Sequence, residues 1–140
     1  MTLTKIVLLV FMAFEAANVI ALYLAPGAKV ANAVGVFTAW EKTKQDPDVH
    51  AFVRYLIYWV AGAKLIFLAL LSVILLFGDL TTQRMSVLAL ALATLSFYWR
   101  MFPLIRNMDR KGQLEPENYS QILGVMILVF VAAFLTAFLL

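Results

Sequence analysis

Apolar residues dominate four stretches of this chain, and the polar residues gather between them. An α-helix rises 1.5 Å per residue, so about 20 apolar residues cross the ~30 Å hydrocarbon core of a bilayer. The first stretch predicts a helix over residues 3–24, ended by Pro26-Gly27. The second predicts a helix over 48–77. Asp46-Pro47-Asp48 opens it with a capping carboxylate and a first-turn proline. Gly78-Asp79 closes it, and the short connection predicts that the second and third helices are antiparallel neighbours. The third helix is expected over 81–108, with Pro103 kinking or loosening its last turns. The fourth is expected over 117–140. It carries little polarity beyond Gln121, which predicts that it is the most lipid-exposed of the four.

Residues 28–44 follow neither pattern. Lys29, Asn32, Glu41, Lys42 and Lys44 interrupt an alanine- and valine-rich run that also holds Phe37 and Trp40. That mixture fits an amphipathic helix lying in the membrane interface, or a helix packed under the bundle. The expected architecture is therefore an all-α integral membrane protein. It has four transmembrane helices in a single domain, with an interfacial segment between the first two. The run after Lys5 also reads like the start of a signal peptide. It continues apolar to Tyr23, long enough to span, and is taken as a retained first helix.

Composition strengthens the membrane reading. The chain of 140 residues is 64% hydrophobic and 14% charged, against about 45–50% apolar and 25% charged in a soluble domain. The absence of cysteine excludes disulfides and thiol chemistry, and one histidine leaves too few ligands for a bis-histidine haem. No cofactor or metal is expected. The formal charge of +3 is not a nucleic-acid signal, because the basic residues cluster beside membrane ends.

That clustering predicts orientation. The first and third connections, with their helix ends, carry Lys29, Lys42, Lys44, Arg54, Arg100, Arg106, Arg110 and Lys111, whereas the opposite side has Lys5 and Arg84. The positive-inside rule places the basic side in the cytoplasm and both termini outside, in a bacterial inner membrane. All eight Trp and Tyr residues fall near that same surface: Tyr23, Trp40, Tyr55, Tyr58, Trp59, Tyr98, Trp99 and Tyr119.

Three groups of residues are candidates for function. Glu15 lies about twelve residues into the first helix, or ~18 Å, and Lys64 lies at similar depth in the second. Asn18 shares a face with Glu15. Ionisable groups at that depth belong either to a relay or transport site, or to an ion pair that sets helix register. The second group is a possible interfacial pocket formed by His50, Arg54, Tyr58 and Trp59 with Tyr98, Trp99 and Arg100. Arginine among rings suits a headgroup, a phosphate or a quinone, and also suits plain anchoring. The third group, Arg106, Arg110 and Lys111, is a candidate lipid-headgroup contact.

In length and helix count the chain is similar to the membrane-bound glutathione-metabolising family and to the DoxX-like family. The arginine, glutamate and asparagine signature of the former is not present, nor is any motif of the latter, so neither lends a residue role. No nucleophile motif or glycine-rich phosphate loop is present either. The expected function is a non-enzymatic accessory or interaction component with membrane lipids as partners, working as a homo-oligomer or beside another membrane protein. The alternatives are a small transporter or channel built on Glu15 and Lys64, or a membrane-embedded enzyme acting on a lipid or quinone.

Overall fold

A computed structural model describes residues 1–140 as an all-α bundle. Its helices are α1 (Leu3–Leu24), α2 (Thr38–Thr43), α3 (Pro47–Phe77), α4 (Leu80–Leu95), α5 (Met101–Arg110) and α6 (Tyr119–Leu139). Four segments are long and apolar enough to cross a membrane, as in an integral membrane protein: α1, α3, α6, and α4 with the 3-10 turn Ser96–Tyr98 that extends it. Carboxylates open two of them. Asp46 Oδ1 accepts from the amides of Asp48 and Val49 ahead of α3. Asp79 Oδ1 accepts from Thr82 N ahead of α4.

The expected third helix, 81–108, is two helices. Proline at 103 lacks the N–H that would bond the Trp99 carbonyl, and its ring would collide with that carbonyl in a continuous helix, at a cost of about 3 kcal/mol. The chain instead tightens through the 3-10 turn at 96–98, breaks at Arg100 and restarts. Pro103 then sits in the first turn of α5, where amides need no helical partner. The helix predicted within residues 28–44 occupies only part of that stretch. That stretch is a folded loop with a 3-10 turn at Val34–Val36 and only the six-residue α2. The short helix carrying basic residues along one side is α5.

Packing corrects two further expectations. α3 packs chiefly on α1 and α4 chiefly on α6, so the antiparallel α3–α4 pair meets mainly near its turn. α6 is not the most exposed helix. Gly124, Ile127, Val131, Phe134 and Ala137 make a buried stripe against α1, α4 and α5, whereas α3 has only 11% of its most apolar window buried, against 28% in α6.

The interior is layered. Leu8, Phe11, Leu71, Val87, Leu90, Ala91, Phe134 and Ala137 form an apolar cluster in the half that holds the termini. Phe11 makes edge contacts there with Phe67, Phe130 and Phe134. A second cluster, Leu22, Ala33, Trp40, Ile57 and Ala61, lies toward the basic end. Between the two clusters sit Glu15, Asn18 and Lys64.

Candidate functional site

The polar layer is a connected network. Lys64 Nζ lies 2.8 Å from Glu15 Oε2 and donates to Asn18 Oδ1 at 2.6 Å. The Asn18 amide, 5% exposed, donates through Nδ2 to the Ala31 carbonyl at 2.5 Å. Asn18 is six residues from the end of α1, ~9 Å in, so the loop must fold back toward the bundle to reach it. Ala31 and Asn32 both adopt left-handed backbone with φ of 53°. For an alanine that conformation costs about 1–2 kcal/mol, which the Asn18 contact and the surrounding loop must hold in place.

The loop is tightly closed. Val34 N bonds Pro26 O, and Gly35 N bonds Ala28 O. A Cβ at Gly35 would lie 1.9 Å from the Gly27 carbonyl oxygen, so only glycine permits this approach. The loop is also stitched to the third connection. An isolated antiparallel bridge pairs Phe37 with Leu114. Glu115 N donates to Val36 O and Thr38 N to Gln113 O. Lys29 pairs with Glu115, and Tyr119 donates to Asn32 Oδ1 at 2.9 Å. Sequence patterning missed this stitch because backbone pairing between two irregular segments leaves no periodic trace.

A cavity of about 200 Å³ opens between α1 and α6 beneath the loop, walled by Phe14, Glu15, Asn18, Asn32, Met126 and Phe130. Glu15 faces it, and Lys64 does not line it. Phe14 and Phe130 meet edge-to-face at 5.5 Å and form one wall.

The seven interfacial candidates fall into separate groups. His50 Nδ1 lies 2.8 Å from Thr43 Oγ1, and its ring packs on Trp40. Arg54 donates to the Tyr58 hydroxyl at 2.6 Å, and Tyr58 stacks on Tyr23. Trp59 sits beside Tyr55 and is exposed. Across the molecule, Tyr98 donates to the Gly124 carbonyl at 2.5 Å, and Arg100 lies over the ring of Trp99. No hydrogen bond, ion pair or ring contact joins the α3 residues to Tyr98, Trp99 and Arg100.

Arg106 and Arg110 are better placed. One turn apart on α5, they wall a polar cleft of about 420 Å³ with Phe102, Asn118, Ser120 and Gln121. Neither arginine makes an ion pair; the three ion pairs are Lys29–Glu115, Lys44–Glu41 and Lys64–Glu15. Asp109 lies in the same cleft, but its carboxylate is engaged. It accepts from Asn118 N, Ser120 N and the Ser120 hydroxyl, and so caps α6 from the preceding helix. The Ser120 hydroxyl bond, with the backbone amides behind it, holds the Asp109 pKa below its usual value. Lys111 follows at the exposed end of α5. No group of histidine, cysteine or carboxylate side chains is arranged to hold a metal. Compared with known protein families, characterised proteins and solved structures, the chain matches none.

Proposed function

We propose that the protein is a non-enzymatic component of a bacterial inner membrane that works by binding, with its basic end in the cytoplasm engaging anionic lipid headgroups. The observation that carries this reading is the α5 cleft, where Arg106 and Arg110 project beside Asn118 and Gln121 with no acidic side chain paired to them. Guanidinium groups one turn apart suit a phosphodiester, and each basic side chain near an anionic surface contributes about 1 kcal/mol. Lys111 extends the same basic edge. The single-sided Trp and Tyr set supports an anchored cytoplasmic face, and the charge bias supports termini outside. The test is native mass spectrometry of protein released from nanodiscs of mixed phosphatidylcholine and phosphatidylglycerol. The wild type should retain phosphatidylglycerol preferentially, and the Arg106→Gln/Arg110→Gln double variant should lose that preference several-fold. Equal retention by both proteins would sink the reading.

A second reading has one observation behind it, the exposure of Glu15 to the α1–α6 groove. It is a small transporter or channel using Glu15 and Lys64. Four helices enclose little space, so it would need several copies. Solute flux in liposomes that survives neutralisation of both residues would end it.

A further inference from the structure

The two members of the ion pair at the centre of the bundle are exposed on different sides, with 23% of the Glu15 side chain and 31% of the Lys64 side chain accessible. Glu15 lines the α1–α6 groove, whereas Lys64 reaches Glu15 from α3 and does not line it. The groove therefore presents a carboxylate and no cation. The Glu15 side chain retains 23% of its exposure and accepts no hydrogen bond from any protein donor other than its ion-pair partner. The other walls of the groove are the Phe14 and Phe130 rings, the Met126 thioether, which accepts from Asn32 Nδ2 at 3.8 Å, and Ala17, Asn18 and Ala31. Ring faces attract positive charge and repel negative charge.

Lys64 also has a second acceptor. Asn18 Oδ1 holds its ammonium at 2.6 Å, and the Asn18 amide is fixed in turn by the Ala31 carbonyl. If another cation takes Glu15, Lys64 keeps a partner. The lip of the groove is the strained pair Ala31 and Asn32, and left-handed alanine is a feature that folds retain where a site requires it.

We propose that the groove between α1 and α6 binds a membrane-dissolved organic cation of the alkylammonium class, its charged head against Glu15 and flanked by Phe14 and Phe130. The cavity of about 200 Å³ holds a substituted ammonium head, and the alkyl chain leaves sideways along the exposed faces of Phe14 and Val129. A cation beside an aromatic face is attracted by the ring quadrupole, in addition to the carboxylate. This site is separate from the α5 cleft, so either can fail without the other.

The test is equilibrium binding of radiolabelled decyltrimethylammonium to full-length protein in zwitterionic nanodiscs. Wild type should bind saturably, one per chain. Glu15→Gln should weaken binding at least tenfold. Lys64→Met should strengthen it, because it removes the competing cation and leaves Glu15 unpaired. Phe130→Leu, which leaves the ion pair intact, should weaken binding severalfold and keeps the proposal testable if the charge variants do not fold. Non-saturable partitioning alone, or equal affinity in wild type and Phe130→Leu or Glu15→Gln, would overturn it.

Discussion

The two ends of the bundle are held by different physics. The half that holds the termini is dry and local. Its helices meet through rings and small residues, and its one connection is a tight turn. There Gln83, 1% exposed, donates from α4 to the carbonyls of Gly78 and Leu75 and so closes the end of α3. The basic half is assembled from loops distant in sequence, joined by backbone bonds, an ion pair and hydroxyls. Apolar packing tolerates small shifts at graded cost, whereas a stitched loop is lost as a unit when one strand of the stitch cannot close. The Glu15–Lys64–Asn18 layer divides the two regimes and touches both.

The largest expected effect tests the dry half. Phe134 is fully buried among Phe11, Phe130, Val87 and Ala137, and truncating such a ring costs about 3–5 kcal/mol, mostly as a cavity. Phe134→Ala should therefore lower the unfolding midpoint of the whole bundle in detergent. The loops at the other end should keep their protease resistance until that midpoint. Early loop cleavage in this variant would show that the two halves are not separately built.

The converse experiment is Gly35→Ala. A methyl group 1.9 Å from the Gly27 carbonyl oxygen and 2.5 Å from that of Ala28 cannot be accommodated without opening the loop, at about 3 kcal/mol locally. Here proteolysis within residues 25–37 should begin well below the global midpoint, with that midpoint falling less than in Phe134→Ala. A variant as resistant as wild type would mean that the stitch to residues 113–115 does not need the loop closed.

This division also explains what could be read from sequence. The four spans follow from apolar runs of about 20 residues, because the bilayer sets their length. Depth arithmetic puts Glu15 and Lys64 at one level, where they lie 2.8 Å apart. Asp46 with Pro47 marks the start of α3 because cap chemistry is local. The features that patterning missed depend on partners far along the chain or on competing steric demands. Pro103 moved the helix break back to Arg100, since restarting the helix costs less than a kinked continuation. By sequence Gln83 is one more polar residue in a first turn, and only the fold sets the carbonyls at the end of α3 beside it. Low polarity in α6 suggested lipid contact, yet Gly124 lets Phe102 approach so closely that a Cβ there would lie 2.6 Å from its ring. The sorting of His50 and Arg54 away from Tyr98 and Arg100 depends on which helices pair, and hydropathy carries no information about pairing.

The smallest effect sharpens the comparison between a local carboxylate cap at one end, Asp79, and a long-range one at the other, Asp109. Asp79 accepts from Thr82 one position set into its own helix, and Asp109 accepts from Asn118 and Ser120 across a loop. Both have pKa values below the usual 3.8, Asp79 through its Thr82 bonds and Asp109 chiefly through the Ser120 hydroxyl. A folded-state pKa below the unfolded value means that the ionised form favours folding. That contribution is complete above 3.8 and is lost as the pH falls through the lowered values. Asp79 is exposed and Asp109 only partly buried, so the acid-induced decline in unfolding midpoint below about pH 4 should be modest. Asparagine can replace a carboxylate whose bonds all go to one residue, because its single oxygen can face Thr82, and Asp79→Asn should be nearly silent at neutral pH. It cannot replace one that serves three donors with two oxygens, because in either orientation its NH2 would face a donor, the Asn118 amide or the Ser120 pair. Asp109→Asn should therefore lower the midpoint at pH 7 and flatten the acid decline, with protease sensitivity appearing first at residues 111–119. An acid profile unchanged in both variants would remove the caps from the account of either end. Equal cost at pH 7 would mean that the long-range cap of the basic half is no more demanding than the local one opposite.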